Sequence, residues 1–298
     1  MTERITQRGM HHSVLVNLQR SLARTESVQQ RLSSGRQISR PSDSPSGTVS
    51  ALRHRAELRR IDQHQRNATD GLGWLGTADT ALTESLSLVR RARELALGGI
   101  NASSGPQARE AMAAEVDVLR ESLLALANTT HLGRPIFAGT ALAAQAFDPA
   151  TGAYLGDAGT VRRTVAPDVE VVVNVVGEEA FGGGAHGVDV FSLLGDLSAH
   201  LRAGDTAALS GTDLGLLDAA TTRLQDRLAT VGARYSHVTT MQDRAAATSL
   251  DLQAALAEVE SIDLPATIME LQLQQVAYQA ALGATARVVQ PSLMDFLR

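Results

Sequence analysis

The chain has 298 residues, of which 44% are hydrophobic and only 3% aromatic, and it carries a net charge of −5 and no cysteine. Mild acidity argues against a nucleic-acid binder, which needs a basic face. The lack of cysteine excludes disulfides, thiolate metal sites and cysteine nucleophiles. No apolar run approaches about 20 residues, so we expect no membrane insertion.

The N-terminal part predicts one helix and a loop. From Ser13 to Ser33 the candidate core positions alternate steps of three and four residues, which is typical of a narrow coiled-coil seam. Gly35 can end this helix in the left-handed conformation, and Pro41 and Pro45 indicate a loop after it. The predicted seam consists of Leu15, Leu18, Leu22, Thr25, Gln29 and Leu32.

Two further helices are predicted before the middle of the chain. The first covers about residues 47–97, with a bend near the glycines 71, 73 and 76, and stops at Gly98–Gly99. The second begins at Ser104, which can cap it, with Pro106 in its first turn. Their heptad positions are Leu75, Leu82, Val89 and Ala96, then Met112, Val116, Leu119, Leu123 and Leu126.

The texture changes near residue 137, where helical periodicity stops and valines between glycine and proline breaks predict short strands. A short helix is expected at 190–202. The last hundred residues are helical again, with Pro265 predicting a segment boundary near Ser261. Their heptad series is Leu217, Leu224, Val231, Val238, Ala245, Leu252, Val259, Ala266, Leu273 and Ala280.

This order predicts a mainly α protein with a small β-rich insert, in which the N- and C-terminal helices pair. Three parts are expected: a terminal helical assembly segment (1–45 plus 262–298), a helical rod domain (46–140 plus 203–261) and an insert domain (141–202). The histidines do not cluster, no acidic pair sits in a recognisable pocket, and Gly182–Gly184 lacks the lysine of a phosphate loop. We therefore predict no enzyme activity, no catalytic residue, no metal site and no cofactor.

Three groups of short motifs stand out along the chain. They are Ile5–Arg8, Gln30–Arg36 and Arg40–Pro45, then Leu126–Thr130, Gly133–Arg134 and Ile136–Gly139, then Ala281–Arg287 and Ser292–Leu297. The first and last groups resemble the flagellin family, and the middle group is similar to hook-associated proteins of type 3, the hook–filament junction proteins. Asp43-Ser44-Pro45 departs from the family pattern, which often has two acids before the proline.

The resemblance implies a flagellin-like fold with a long helical rod and a structural role in joining the flagellar hook to the filament. It implies export through the flagellar type III channel with an uncleaved N-terminus, an extracellular location in the bacterial flagellum, and an export chaperone. The partners it implies are an adjacent hook-associated adaptor protein, flagellin, and copies of the chain in a ring-like layer.

We expect the terminal seams to form the assembly interface because one chain cannot bury them well. Leu15, Leu18, Leu22 and Leu32 are expected to pack against Met269, Leu273, Val276 and neighbouring subunits. The alternatives are a flagellin, the filament subunit, and a cytoplasmic coiled-coil adaptor whose seams are satisfied in a dimer. The predicted interface residues are Leu15, Leu18, Leu22, Leu32, Ile262, Met269, Leu273, Val276, Leu282, Leu293 and Phe296.

Overall fold

A computed structural model describes residues 2–101 and 105–289, with side chains for residues 12–101 and 105–286. The chain is mainly helical with two small antiparallel hairpins, which confirms the predicted fold class. The helices are α1 (Thr2–Ser34), α2 (Pro45–Ile100), α3 (Pro106–Ala127), α4 (Gly177–Phe181), α5 (Val190–Ala203), α6 (Thr206–Ala208), α7 (Leu214–Glu260) and α8 (Leu264–Val289). The strands are β1 (Thr130–His131), β2 (Arg134–Pro135), β3 (Arg162–Ala166) and β4 (Val169–Val172).

The chain divides into two compact units. Residues 1–59 and 249–298 form one, here called the terminal unit, and residues 60–248 form the other, here called the central unit. The three-part division expected from the sequence stays a prediction, because a division into two units does not test it.

The core of the central unit follows the predicted heptads. Leu75, Leu82, Val89 and Ala96 on α2 are buried, as are Val116 and Leu123 on α3 and Leu217, Leu224, Val231 and Val238 on α7. Four buried phenylalanine rings pack together in this core, with neighbouring ring centroids 5.1 to 5.7 Å apart. These rings belong to Phe137, Phe147, Phe181 and Phe191.

Helix α2 runs without interruption through the glycines at 71, 73 and 76, and the bend expected there stays a prediction. Two local expectations need correction. The strands of the insert are fewer than expected, since residues 141–161 are largely irregular, and the hairpin β1–β2 lies before it. Helix α3 begins after Gly105 without a side-chain cap, and the predicted cap Ser104 lies outside the described residues.

Pro265 has the effect predicted for it. Helix α7 ends at Glu260 and α8 begins at Leu264, so the proline occupies the first turn of a new helix, where its missing amide hydrogen costs nothing. The Asp263 carboxylate accepts a hydrogen bond from the Ala266 amide at 3.1 Å and thereby caps α8.

Candidate assembly surface

The terminal unit buries little hydrophobic surface. Among its described side chains, Val28 and Ala51 are the hydrophobic residues that are buried, whereas the central unit has a continuous core. Large apolar side chains of the terminal unit remain exposed on α1, α2, α7 and α8. An exposed apolar surface of this kind marks a contact site in soluble proteins.

Helix α1 packs against α8, and the positions that face inward follow heptad spacing. Several of these positions are polar, and the hydroxyl groups of Thr25 and Thr267 are satisfied by backbone oxygens of Ser21 and Asp263. The seam therefore buries few apolar groups. Its buried and half-buried members are Val14, Leu18, Ser21, Thr25, Val28 and Leu32 on α1, and Thr267, Leu271, Gln274, Tyr278, Ala281 and Thr285 on α8.

The opposite side of α8 carries an apolar stripe that the chain itself does not cover. Met269, Leu273 and Val276 are 60%, 71% and 64% exposed and are called the outer stripe below. Leu15 and Leu22 are likewise exposed on α1. The expected packing of these α1 leucines against the outer stripe is wrong within the chain, because a register shifted by about one residue places Val14, Ser21 and Val28 inward instead.

The remaining predicted interface residues occupy different environments. Leu18 and Leu32 are half-buried in the inner seam, and Ile262 is half-buried between α7 and α8. Leu282 is exposed on α8. Leu293 and Phe296 lie outside the described residues. The structure places these side chains but does not test their role in assembly, so the interface as a whole stays a prediction.

An ion pair joins α1 to α8 near the C-terminus of α1 and the N-terminus of α8. The Nη2 atom of Arg31 lies 3.0 and 3.1 Å from the two carboxylate oxygens of Glu270. Both side chains are partly exposed, so the pair contributes about 0.2–1 kcal/mol. Its contribution is mainly to register, because the two charges meet at one relative position of the helices.

The loop between α1 and α2 is built around Asp43. Its carboxylate accepts hydrogen bonds from the backbone amides of Arg40 at 2.8 Å and Ser39 at 3.0 Å. These bonds, chiefly the one from Arg40, lower the pKa of Asp43, because they stabilise its charged form.

The hairpin β1–β2 packs closely on α2 in the central unit. A Cβ atom at Gly73 would lie 2.8 Å from Cε1 of His131, so only glycine allows this approach. His131 also lies 3.2 Å from the hydroxyl of Thr77 and packs against Trp74, with ring centroids 5.7 Å apart. The sequence predicted that Gly73 weakens the helix. It did not predict that the hairpin β1–β2, which comes later in the chain, packs against this glycine.

One groove of about 800 Å³ is open to solvent. It lies in the central unit and is lined by Asp62, Arg66, Asp70 and Asp243, among others. Over the described ranges, no three His, Asp or Glu side chains are grouped so that they could hold a metal ion. No helix in the described part of the chain is long and apolar enough to cross a membrane.

Comparison with known proteins agrees with this architecture. Residues 5–141 match the model of the bacterial flagellin N-terminal helical region. Flagellar hook-associated protein 3 of Escherichia coli is 24% identical over 276 residues, which are 86% of this chain and 87% of that protein. The chain is therefore similar to flagellins over its N-terminal part and to flagellar hook-associated protein 3 over most of its length.

Flagellins match this chain over a shorter stretch. Flagellin A of Vibrio anguillarum is 36% identical over 104 residues, so the match covers 35% of this chain and only 27% of that flagellin. Among solved structures, a flagellar hook-associated protein from Vibrio parahaemolyticus has a TM-score of 0.67 at 22% identity, covering 74% of this chain and 100% of the other. The flagellar junction protein FlgL of Legionella pneumophila has a TM-score of 0.59 at 16% identity, covering 72% and 100%. These likenesses establish the fold.

Proposed function

We propose that the chain is a structural junction protein that joins the flagellar hook to the filament by packing its terminal helices against neighbouring subunits. The observation that carries the proposal is the outer stripe of Met269, Leu273 and Val276, a heptad-spaced apolar seam that the chain leaves uncovered. Heptad-spaced apolar residues fit the surface of another helix, whose side chains pack between them.

Length distinguishes this proposal from the flagellin alternative. The match to hook-associated protein 3 covers most of both chains, whereas the match to flagellin A covers little more than a quarter of that protein. A cytoplasmic coiled-coil adaptor is disfavoured because its relatives would not be flagellar components. The family supports a place in the flagellum.

The finer parts of the proposal follow from the resemblance. The chain leaves the cell through the flagellar type III channel without a cleaved signal, aided by an export chaperone. It forms a ring-like layer of copies between a hook-associated adaptor protein and flagellin. Residues 1–45 and 262–298 serve as the assembly segment, with Leu15, Leu22 and the outer stripe as its contacts, and Leu293 and Phe296 extend it.

The proposal is tested by replacing Leu273 and Val276 with Asp in a strain that lacks the native gene. Because both side chains are more than 60% exposed, the isolated chain should stay folded, with unchanged far-ultraviolet circular dichroism. Two charges in a dry helix contact would prevent packing. We expect hooks without filaments by electron microscopy and flagellin shed into the medium.

The matched control is Leu273→Met with Val276→Ile, which keeps the stripe apolar and should support normal filaments. Normal filament growth with the Asp pair would contradict the proposal. So would normal filaments in the strain from which the gene has been deleted.

A further inference from the structure

In the terminal unit, two backbone segments form a short pairing at the point where α1 ends and α8 begins. Arg36 and Ser261 form an antiparallel bridge. The Gln37 amide donates to the Glu260 carbonyl oxygen at 2.7 Å, and the Ile262 amide donates to the Gly35 carbonyl oxygen at 3.3 Å. The pairing of residues 35–37 with 260–262 is called the clasp below.

The clasp adjoins both terminal helices directly. Helix α1 ends at Ser34, and Gly35, with φ of 67°, turns the chain into the clasp. Helix α8 begins at Leu264, after the capping residue Asp263. The clasp therefore joins the C-terminus of α1 to the N-terminus of α8, and we expect a change in the clasp to affect both helices together.

One side-chain contact holds the clasp on α2. The Nη2 atom of Arg55 donates to a carboxylate oxygen of Glu260 at 2.7 Å. The Glu260 side chain is only 12% exposed, and it sits at the C-terminus of α7, where the helix dipole disfavours a negative charge. A carboxylate in this position needs a cation beside it, since a buried charge without a partner is strongly destabilising.

We infer that the Arg55–Glu260 pair positions the assembly surface, because it locks the clasp and so orders α1 and α8 as one cooperative segment. This inference rests on the proposed function, in which the outer stripe of α8 contacts other subunits. Arg55 and Glu260 act through the clasp. They are positioning residues and not contacts.

Amide hydrogen exchange on the isolated full chain tests the inference. In Arg55→Met we expect exchange at Gln37, Ile262 and throughout residues 13–34 and 264–286 to rise together by about tenfold or more, because removing one partner leaves Glu260 unpaired. The reversed pair, Arg55→Glu with Glu260→Arg, should restore most of the protection. Residues 116–127 in the central unit should keep their exchange rates and so report that the chain is folded.

Arg53→Met is the matched control, since Arg53 is an exposed arginine on the same helix. Exchange in Arg55→Met equal to that in Arg53→Met would overturn the inference. It would also be overturned by faster exchange in α1 with α8 unchanged, or by Gln37 and Ile262 amides that lack protection in the unaltered chain.

The exchange experiment needs no assembly, so its result is separate from that of the Leu273 and Val276 variants. Loss of filaments in the Asp pair with unchanged exchange in Arg55→Met would retain the proposed function and overturn the clasp. The opposite result is faster exchange in Arg55→Met together with normal filaments in the variant that has Asp at 273 and 276. The clasp would then still order α1 and α8, but its role in assembly would be overturned.

Discussion

Val28 and Leu22 lie on the same helix but on different faces of the terminal pair: Val28 is 2% exposed in the seam between α1 and α8, whereas Leu22 is 44% exposed. Val28 therefore belongs to the contact made within the chain, and Leu22 to the contact proposed between chains. The residues of the outer stripe on α8 are exposed in the same way as Leu22.

Val28→Asp should unpair α1 from α8 in the isolated chain. Burying a carboxylate in this seam costs several kcal/mol, roughly the upper range of single substitutions. The nearby Arg31 is already paired with Glu270. Faster amide exchange across residues 14–32 would report the loss. Leu22→Asp is the control, because its side chain already reaches solvent, and its exchange should match that of the unaltered chain while filament joining fails. Equal exchange in the two variants would contradict the assigned register.

Gly73→Ala should destabilise the central unit. The added Cβ would meet the imidazole of His131 at 2.8 Å, so the imidazole must move out of its contacts with Thr77 and Trp74. We expect this to cost about 1–3 kcal/mol, more than the helix-propensity gain of about 0.5–1 kcal/mol. Urea unfolding followed by Trp74 fluorescence measures the change.

Gly76→Ala gives the opposite expectation on the same helix, since the nearest atom to its Cβ would be Cε2 of Tyr235 at 3.9 Å. Only the propensity gain then remains, so the free energy of unfolding should rise by about 0.5–1 kcal/mol. A loss of stability in Gly76→Ala, or a gain in Gly73→Ala, would show that the helix has another need for glycine here.

The stability of the central unit should depend on pH through His200. Its Nδ1 lies 2.8 Å from a carboxylate oxygen of Asp213, which is only 2% exposed, and this hydrogen bond raises the pKa of His200. Because the raised pKa favours the protonated folded state, the stabilisation is complete below the ordinary histidine pKa of about 6.5 and is lost as pH rises through the folded-state pKa.

Nuclear magnetic resonance titration of the His200 ring and urea unfolding across the same pH range check this expectation. Asp213→Asn removes the main cause, so the pKa of His200 should fall and the pH dependence above about 6.5 should flatten. The difference in unfolding free energy between the unaltered chain and Asp213→Asn removes the contribution of other titrating groups. If this difference grows as pH rises above about 6.5, the expectation is contradicted.

The sequence by itself determined the helical core of the central unit and the break before α8. Leu75, Leu82 and Val89 recur at a spacing that leaves one stripe to bury, and Pro265 cannot continue a helix, so both conclusions depend on residues close together in the chain. The family resemblance depended equally on local motifs.

Only the tertiary structure decided which face of each terminal helix points inward. Both stripes of α1 offer apolar residues, Leu15 and Leu22 in one and Val14 and Val28 in the other, and helical periodicity has no preference between them. The inward face is defined by contacts between residues far apart in sequence, among them the ion pair of Arg31 with Glu270. Such pairs cannot be derived from local spacing, because their energy exists only after the chain has closed on itself.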